Sequence, residues 1–275
     1  MVDQVSRAEV FRALHEKQDV FVVANAWDAG SARLLTGMGF AALATTSGGL
    51  AASLGRPDGH NRVTRDEALA NAAVIAAGTS LPVTADLESG YGRTDQEVAD
   101  TIGLAVNAGL AGASVEDTTG DPSAPVRDLA EAVDRVTAAA EAARSVSSGF
   151  VLTARADNFL YGRQDLADTI ARLQAFEAAG ADVLYAPGLP DAAAVRAVCS
   201  AVGKPVNVLA SPAMGSVAEL AALGVRRVSL GSAFARAALG GLLAAASEVS
   251  EHGTFRFLAD APTYAQVNSL FDSDR

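Results

Sequence analysis

Ala108-Gly109-Leu110-Ala111-Gly112-Ala113-Ser114-Val115-Glu116 is the stretch on which the fold turns. A small residue and a glycine stand where a helix ends, because a left-handed C-cap favours glycine. The apolar run behind them is too short for a helix and suits a strand buried on both faces. The same arrangement returns at Gly37-Met38-Gly39-Phe40-Ala41-Ala42-Leu43-Ala44-Thr45, at Ala179-Gly180-Ala181-Asp182-Val183-Leu184-Tyr185 and at Leu223-Gly224-Val225-Arg226-Arg227-Val228-Ser229-Leu230.

Between these copies lie apolar runs at 20–24, 82–85, 150–154 and 205–209, which complete a set of eight predicted strands. Helical patterns at 65–77, 95–108, 129–145, 166–179, 191–201 and 216–223 separate them. Such alternation implies parallel βαβ units with right-handed crossovers. Over 275 residues it fits an α/β fold of the (β/α)8 TIM-barrel type. A doubly wound open sheet is the alternative. Against it, the first strand leads into Asn25-Ala26-Trp27-Asp28 and not into a glycine-rich dinucleotide loop. No linker or low-complexity segment interrupts the chain, so residues 1–275 read as a single barrel domain. A final helix at 232–249 and an irregular tail from 251 form a C-terminal piece of about 232–275. That piece packs on a neighbouring subunit or on its own barrel.

Composition narrows the function. Half the residues are hydrophobic and 19% are charged, which suits a globular chain with ample core. A net charge of −11 argues against a nucleic-acid partner, which calls for clustered Lys and Arg. One cysteine, Cys199, excludes an intrachain disulfide and metal clusters built on Cys. His15, His60 and His252 have no metal-ligand spacing. The polar N-terminus does not read as a signal peptide, and the apolar runs are too short to span a membrane. The expected compartment is the cytoplasm.

In a TIM barrel the residues just past the strands' C-terminal ends build the active site. The third strand runs through Val83-Thr84-Ala85 into Asp86-Leu87-Glu88-Ser89-Gly90-Tyr91-Gly92. Asp86 and Glu88, two apart, share one side of an extended backbone. Paired carboxylates repel unless a cation lies between them, and Mg²⁺, with Mn²⁺ as an alternative, suits oxygen ligands. The fourth strand ends at Glu116-Asp117, the fifth at Arg155-Ala156-Asp157, the sixth at Tyr185, the seventh at Asn207 and the eighth at Ser229. Asp86 is expected to touch Mg²⁺ directly, with Glu88 and Glu116 holding its waters. Arg155 can grip a carboxylate in a two-pronged fork. Ser47 and the amides of Gly48 and Gly49 can bond the same group. Asn207 and Tyr185 complete the expected substrate-binding set. The ligand these roles suggest is a small 2-oxo acid of the pyruvate, oxaloacetate or 2-oxoglutarate type.

Plainer readings stand beside these. Arg155 and Asp157 can form a rim salt bridge. Ser47-Gly48-Gly49 can be only a turn, Asn207 a cap and Tyr185 a packed aromatic. Trp27 and Asp28 can be packing and a helix N-cap, and Cys199 inert core.

Taken together, Asn25-Ala26-Trp27-Asp28-Ala29, Thr46-Ser47-Gly48-Gly49, Gly55-Arg56-Pro57-Asp58, residues 86–92, Val115-Glu116-Asp117 and Thr153-Ala154-Arg155-Ala156-Asp157 resemble the isocitrate lyase/phosphoenolpyruvate mutase family. The resemblance runs from about residue 20 to 238. It implies a Mg²⁺-dependent barrel enzyme that cleaves or rearranges a C–C or P–C bond beside an enolate. It implies homo-oligomers, dimers or tetramers, whose eighth helix is exchanged between subunits. It adds Asp58 to Asp86, Glu88 and Glu116 around the metal. It makes Asp58, Glu116 and Arg155 the catalytic set, with Ser47, Gly48, Gly49 and Arg155 on the substrate carboxylate.

Two departures qualify this expectation. Glu88 stands where the family usually has Asp. The mobile loop after Glu116, residues 117–128, lacks the Lys-Lys-Cys-Gly-His run of the lyases and has no Cys, Lys or His. Loss of such an acid/base costs roughly 10²–10⁴-fold in rate, so isocitrate and methylisocitrate are expected to be poor substrates. Arg127 reads as a surface residue at a helix start. The expected function is a Mg²⁺-dependent lyase for a small 2-oxo acid or its adduct. The alternatives are an oxo-acid-binding protein with little catalysis, or a phosphonopyruvate mutase or hydrolase.

Overall fold

In the computed structural model, which describes residues 4–59, 62–146 and 149–271, the alternation of the sequence becomes a closed ring of eight parallel strands. The chain opens with helix α1 (Gln4–Glu16), followed by β1 (Phe21–Asn25), α2 (Ala29–Gly37), β2 (Ala42–Ala44) and α3 (Ser47–Ser53). Next come α4 (Arg65–Ala77), β3 (Val83–Asp86), α5 (Asp95–Asn107), β4 (Gly112–Glu116), α6 (Leu129–Val146) and β5 (Val151–Arg155). The circuit closes with α7 (Leu166–Ala178), β6 (Val183–Tyr185), α8 (Ala192–Ala201), β7 (Val206–Leu209), α9 (Val217–Ala222) and β8 (Arg227–Ser229). Two further helices, α10 (Ala233–His252) and α11 (Tyr264–Phe271), follow. The four glycines of the recurring motif, Gly39, Gly109, Gly180 and Gly224, all have positive φ, as the helix-end reading requires.

The main core lies between the strands' outer faces and the surrounding helices, where Leu43, Leu87, Ile102, Leu152, Phe176 and Leu184 are fully buried. The bore is different. Its inward positions carry Ala42, Ala44, Thr84, Gly112 and Ser114, small residues that leave space where large branched ones usually fill a barrel. Gly112 is required there, because a Cβ would stand 2.6 Å from the Val151 carbonyl. At the N-terminal end α1 plugs the bore with Ala8, Phe11 and His15. The Phe11, His15 and Phe21 rings meet edge-on, with centroids 4.8–6.3 Å apart.

Several expectations need correction. The polar N-terminus contains a helix, which sequence reading passed over because charged residues are interleaved with its apolar ones. Ser47-Gly48-Gly49 is the first turn of α3, N-capped by Thr46, and not a loop. The tail is not wholly irregular: Thr263 and Gln266 form a reciprocal cap that starts α11. Asp28 caps α2 through a capping box with Ser31, which is the plainer of its two readings.

Helix α10 extends away from its own barrel. Only Ala235 is buried, while Leu239, Leu242, Leu243 and Val249 are 40–67% exposed. No helix among the described residues is long and apolar enough to cross a membrane.

Candidate active site

Strand register brings the polar side chains together. Asp86 lies beside Ser114 across β3 and β4, and Glu116 lies beside Arg155 across β4 and β5. Arg155 pairs in turn with Tyr185, and Tyr185 with Asn207. The result is a cavity of about 210 Å³ at the C-terminal end of the barrel. Ser47, Gly48, Asp58, Asp86, Arg155, Tyr185 and Asn207 all line it.

Arg155 is the hub. Its Nη1 donates to Asp86 Oδ1 at 3.0 Å, and its Nη2 lies 2.9 Å from Glu116 Oε2. Its Nε and Nη2 grip Asp157 in a fork at 3.2 and 2.7 Å. The guanidinium also stands 5.4 Å from the Tyr185 ring centre. This is a buried network, not the solvated rim pair considered above: the side chains of Arg155 and Asp157 are 13% and 2% exposed.

Asp86 Oδ2 accepts the Ser47 N–H at 3.2 Å, and the Asp86 N–H donates to Thr45 Oγ1. Asp58 is exposed as a residue, but its carboxyl turns into the cavity. Loss of solvent there, and then the charge of Asp86, raise its pKa, while the Gly59 N–H and the Ser47 hydroxyl oppose the rise. A Cβ at 48 would stand 2.7 Å from Asp58 Oδ2 and 3.1 Å from Ser232 Cβ, so an alanine there would push the Asp58 carboxyl aside.

Three predicted residues stand elsewhere. Glu88 has φ +46°, so the chain leaves the extended form after Asp86 and the same-side argument fails there. It is not among the residues that line the cavity, and its carboxylate accepts the Tyr91 hydroxyl at 3.1 Å. Burial first, and then the charge of Asp86, raise its pKa to about 7. Glu116 does not line the cavity either. It is buried between Arg155 and the Thr118 hydroxyl, which donates at 2.7 Å, and burial raises its pKa well above the usual range. The Gly49 amide is taken by Thr46 Oγ1, and a Cβ at Gly49 would strike Thr46 and Trp27. Asn207 is a mid-strand residue inside the bore, not a strand-end residue. His60 lies outside the described residues.

The loop over residues 117–128 is pinned at its base. Thr118 bridges to Val126, the Thr119 N–H reaches the Pro125 carbonyl, and the Arg127 N–H reaches the Asp117 carbonyl. Arg127 is not a free surface residue: its Nε donates to the Thr118 carbonyl and its Nη1 pairs with Glu131. Beneath the loop, buried Asp117 accepts from Arg172 Nη1 at 3.1 Å and from the Asp157 N–H at 2.9 Å.

Sequence reading missed two polar residues near this centre. Tyr161, on the short turn after β5, has its pKa raised to about 12 by burial and then by Glu116 and Asp157. Arg227 lies in the floor of the cavity. Neither sits immediately past the C-terminal end of a strand: Tyr161 lies on the turn beyond β5, and Arg227 opens β8.

No three His, Cys, Asp or Glu side chains among the described residues converge into a ready cage for a metal. The donors present are nonetheless all oxygen, and the charge of Asp86 is close enough to raise the pKa values of Asp58 and Glu88. That set suits Mg²⁺, which keeps most of its water and needs only one or two direct carboxylates.

The family model described as phosphoenolpyruvate phosphomutase matches residues 11–250. The 2-methylisocitrate lyase of Escherichia coli K12 is 32% identical over 208 residues, covering 73% of this chain and 69% of that protein. A crystal structure of a lyase/mutase candidate from Burkholderia cenocepacia J2315 is 50% identical, with a TM-score of 0.95 over 98% of this chain and 97% of that one. A phosphonopyruvate hydrolase, solved with oxalate and Mg²⁺, is 26% identical, with a TM-score of 0.84 over 96% of this chain and 94% of that one.

Proposed function

Because the chain belongs to the phosphoenolpyruvate mutase family, within the isocitrate lyase/phosphoenolpyruvate mutase superfamily of lyases and mutases, we propose that it is a Mg²⁺-dependent lyase acting on a small 2-oxo acid or its adduct. The observation that carries this reading is the placing of Asp86, Arg155, Ser47 and Gly48 on one cavity at the barrel's C-terminal mouth.

Asp86 would hold the metal directly, with Asp58 and Glu88 nearest to orient its waters, while Glu116 is withdrawn from the metal because Arg155 and Thr118 occupy its carboxylate. When bound there, Mg²⁺ supplies a Lewis acid that stabilises negative charge developing on the oxo acid's oxygen. Arg155 binds the substrate carboxylate while Glu116 and Asp157 hold its guanidinium in place. The Gly48 amide adds a donor to the same cavity, and the Ser47 hydroxyl, which bonds the Asp58 carboxyl, adds one when it turns from that partner to substrate. Gly49 is withdrawn from that role, since Thr46 occupies its amide. The exposed apolar side chains of α10 fit exchange of this helix between subunits of a dimer or tetramer.

A second reading has one observation in its favour. Residues 117–128 hold no Cys, Lys or His to act as acid or base, which favours an oxo-acid-binding protein with little catalysis. Incubation with Mg²⁺ and oxaloacetate or an isocitrate-type acid separates the two. Cleavage products support the lyase. Tight binding with no product over hours supports the binding protein and overturns the lyase.

A further inference from the structure

The bore holds a cation that the proposed reading does not use. Register carries the polar row downward around the ring, from Arg155 to Tyr185, then Asn207, then Arg227. Arg227 is 4% exposed. Its Nε donates to Asn207 Oδ1 at 2.9 Å, and its Nη2 donates to Thr153 Oγ1 at 3.0 Å. Its Nη1 stands 3.3 Å from His15 Nε2. All three partners are neutral, because burial and the charge of Arg227 itself lower the His15 pKa to about 3.

No carboxylate pairs with Arg227 among the described residues, whereas buried Arg172 has Asp117 and Asp168, and Arg155 has three acids. An unpaired buried charge is costly, and three neutral partners leave that of Arg227 without a counter-charge, as the carbonyls of Ser89 and Gly92 leave that of buried Arg135. Its bonds occupy one N–H on each nitrogen, leaving one free on each terminal nitrogen. The cavity lined by Asp86 and Arg155 is lined also by Arg227, with Ser114, Thr84 and Ala44 from neighbouring strands. Thr153, which the guanidinium touches, lies two residues down β5 from Arg155, about 7 Å at strand rise. A step of that order leaves room along the bore for a four- or five-carbon diacid, and a cavity of about 210 Å³ suits a ligand well below drug size.

We propose that Arg227 forms a second anion subsite on the floor of the bore, taking the distal carboxylate of a dicarboxylic 2-oxo acid whose other end is held at the mouth. This deepens the proposed function and rests on it. The test is calorimetric titration, in Mg²⁺, of wild type with 2-oxoglutarate, its distal methyl ester and pyruvate, repeated with Arg227→Met and Arg227→Lys. A charged hydrogen bond predicts that wild type prefers the diacid over its ester by roughly 10–100-fold. Arg227→Met should lose that preference while keeping wild-type affinity for pyruvate, and Arg227→Lys should retain part of it. Equal binding of diacid and ester by wild type overturns the subsite even if both variants fail to fold. A preference that survives in Arg227→Met overturns it too. If chloride stabilises wild type but not Arg227→Met, with diacid and ester bound alike, the cation serves a free halide and the assignment falls. Failure of wild type to bind any of the three acids sinks the proposed function itself, whereas pyruvate bound without a diacid preference sinks only the subsite.

Discussion

Arg155→Met is the substitution whose cost can be worked from the contacts. The guanidinium meets Asp86, Glu116 and Asp157, whose side chains are 19%, 9% and 2% exposed. Removing it strands three acids, two of them almost without solvent. Breaking a buried pair by deleting one partner costs about 3–5 kcal/mol. Proton uptake caps the loss. Protonating one ordinary carboxylate at neutral pH costs about 4 kcal/mol, at 1.36 kcal/mol per pKa unit. Glu116 already lies well above the ordinary range, so its share is smaller. The expected destabilisation is therefore about 3–5 kcal/mol, within the total a domain of this kind can lose and still fold. Urea unfolding followed by circular dichroism, at neutral pH and without divalent metal, measures it. A double variant, Arg155→Met with Asp157→Asn, should recover about 1 kcal/mol or more, because one stranded charge is gone. A loss below about 1 kcal/mol, the value of an exposed pair, refutes the buried-network argument, as does the absence of recovery.

Three other outcomes are expected. Asp86→Ala should abolish Mg²⁺-dependent binding of oxo acid while Cys199→Ser leaves it intact, measured by calorimetry; unchanged binding in the first variant removes Asp86 from the metal. Gly48→Ala should weaken oxo-acid binding at least tenfold despite the usual helical gain of about 1 kcal/mol, because the new methyl meets Asp58 Oδ2 at 2.7 Å; wild-type affinity would show that the close approach is dispensable. His15 stays neutral in the fold down to about pH 3 but takes a proton below 6.5 when unfolded, so acid favours the unfolded chain. His15→Gln should remove that slope and narrow the stability gap to wild type by about 1 kcal/mol between pH 6.5 and roughly 5.5; parallel profiles would contradict it.

The strands were legible because each glycine that ends a helix is followed at once by an apolar run, and both signals are local. Helix α4 was readable to the residue, since Thr64 and Glu67 form a capping box at its start. Helix α1 was not, because charged residues are interleaved with its apolar ones and its value is tertiary. At the site, Asp86, Arg155, Ser47 and Gly48 stand at strand ends, where the fold itself says to look. Glu88 was misplaced because a single left-handed residue turned the chain. Arg227 lay in plain sight within an apolar run. Strand period alone does not say which parity points into the bore, and the downward step of the register decides it.

Diffraction from crystals soaked with Mn²⁺ and oxalate tests the central claim most directly. The account predicts one anomalous peak beside the Asp86 carboxylate, with oxalate between that ion and the Arg155 side of the cavity. A manganese peak elsewhere, or oxalate bound outside the barrel mouth, would contradict it.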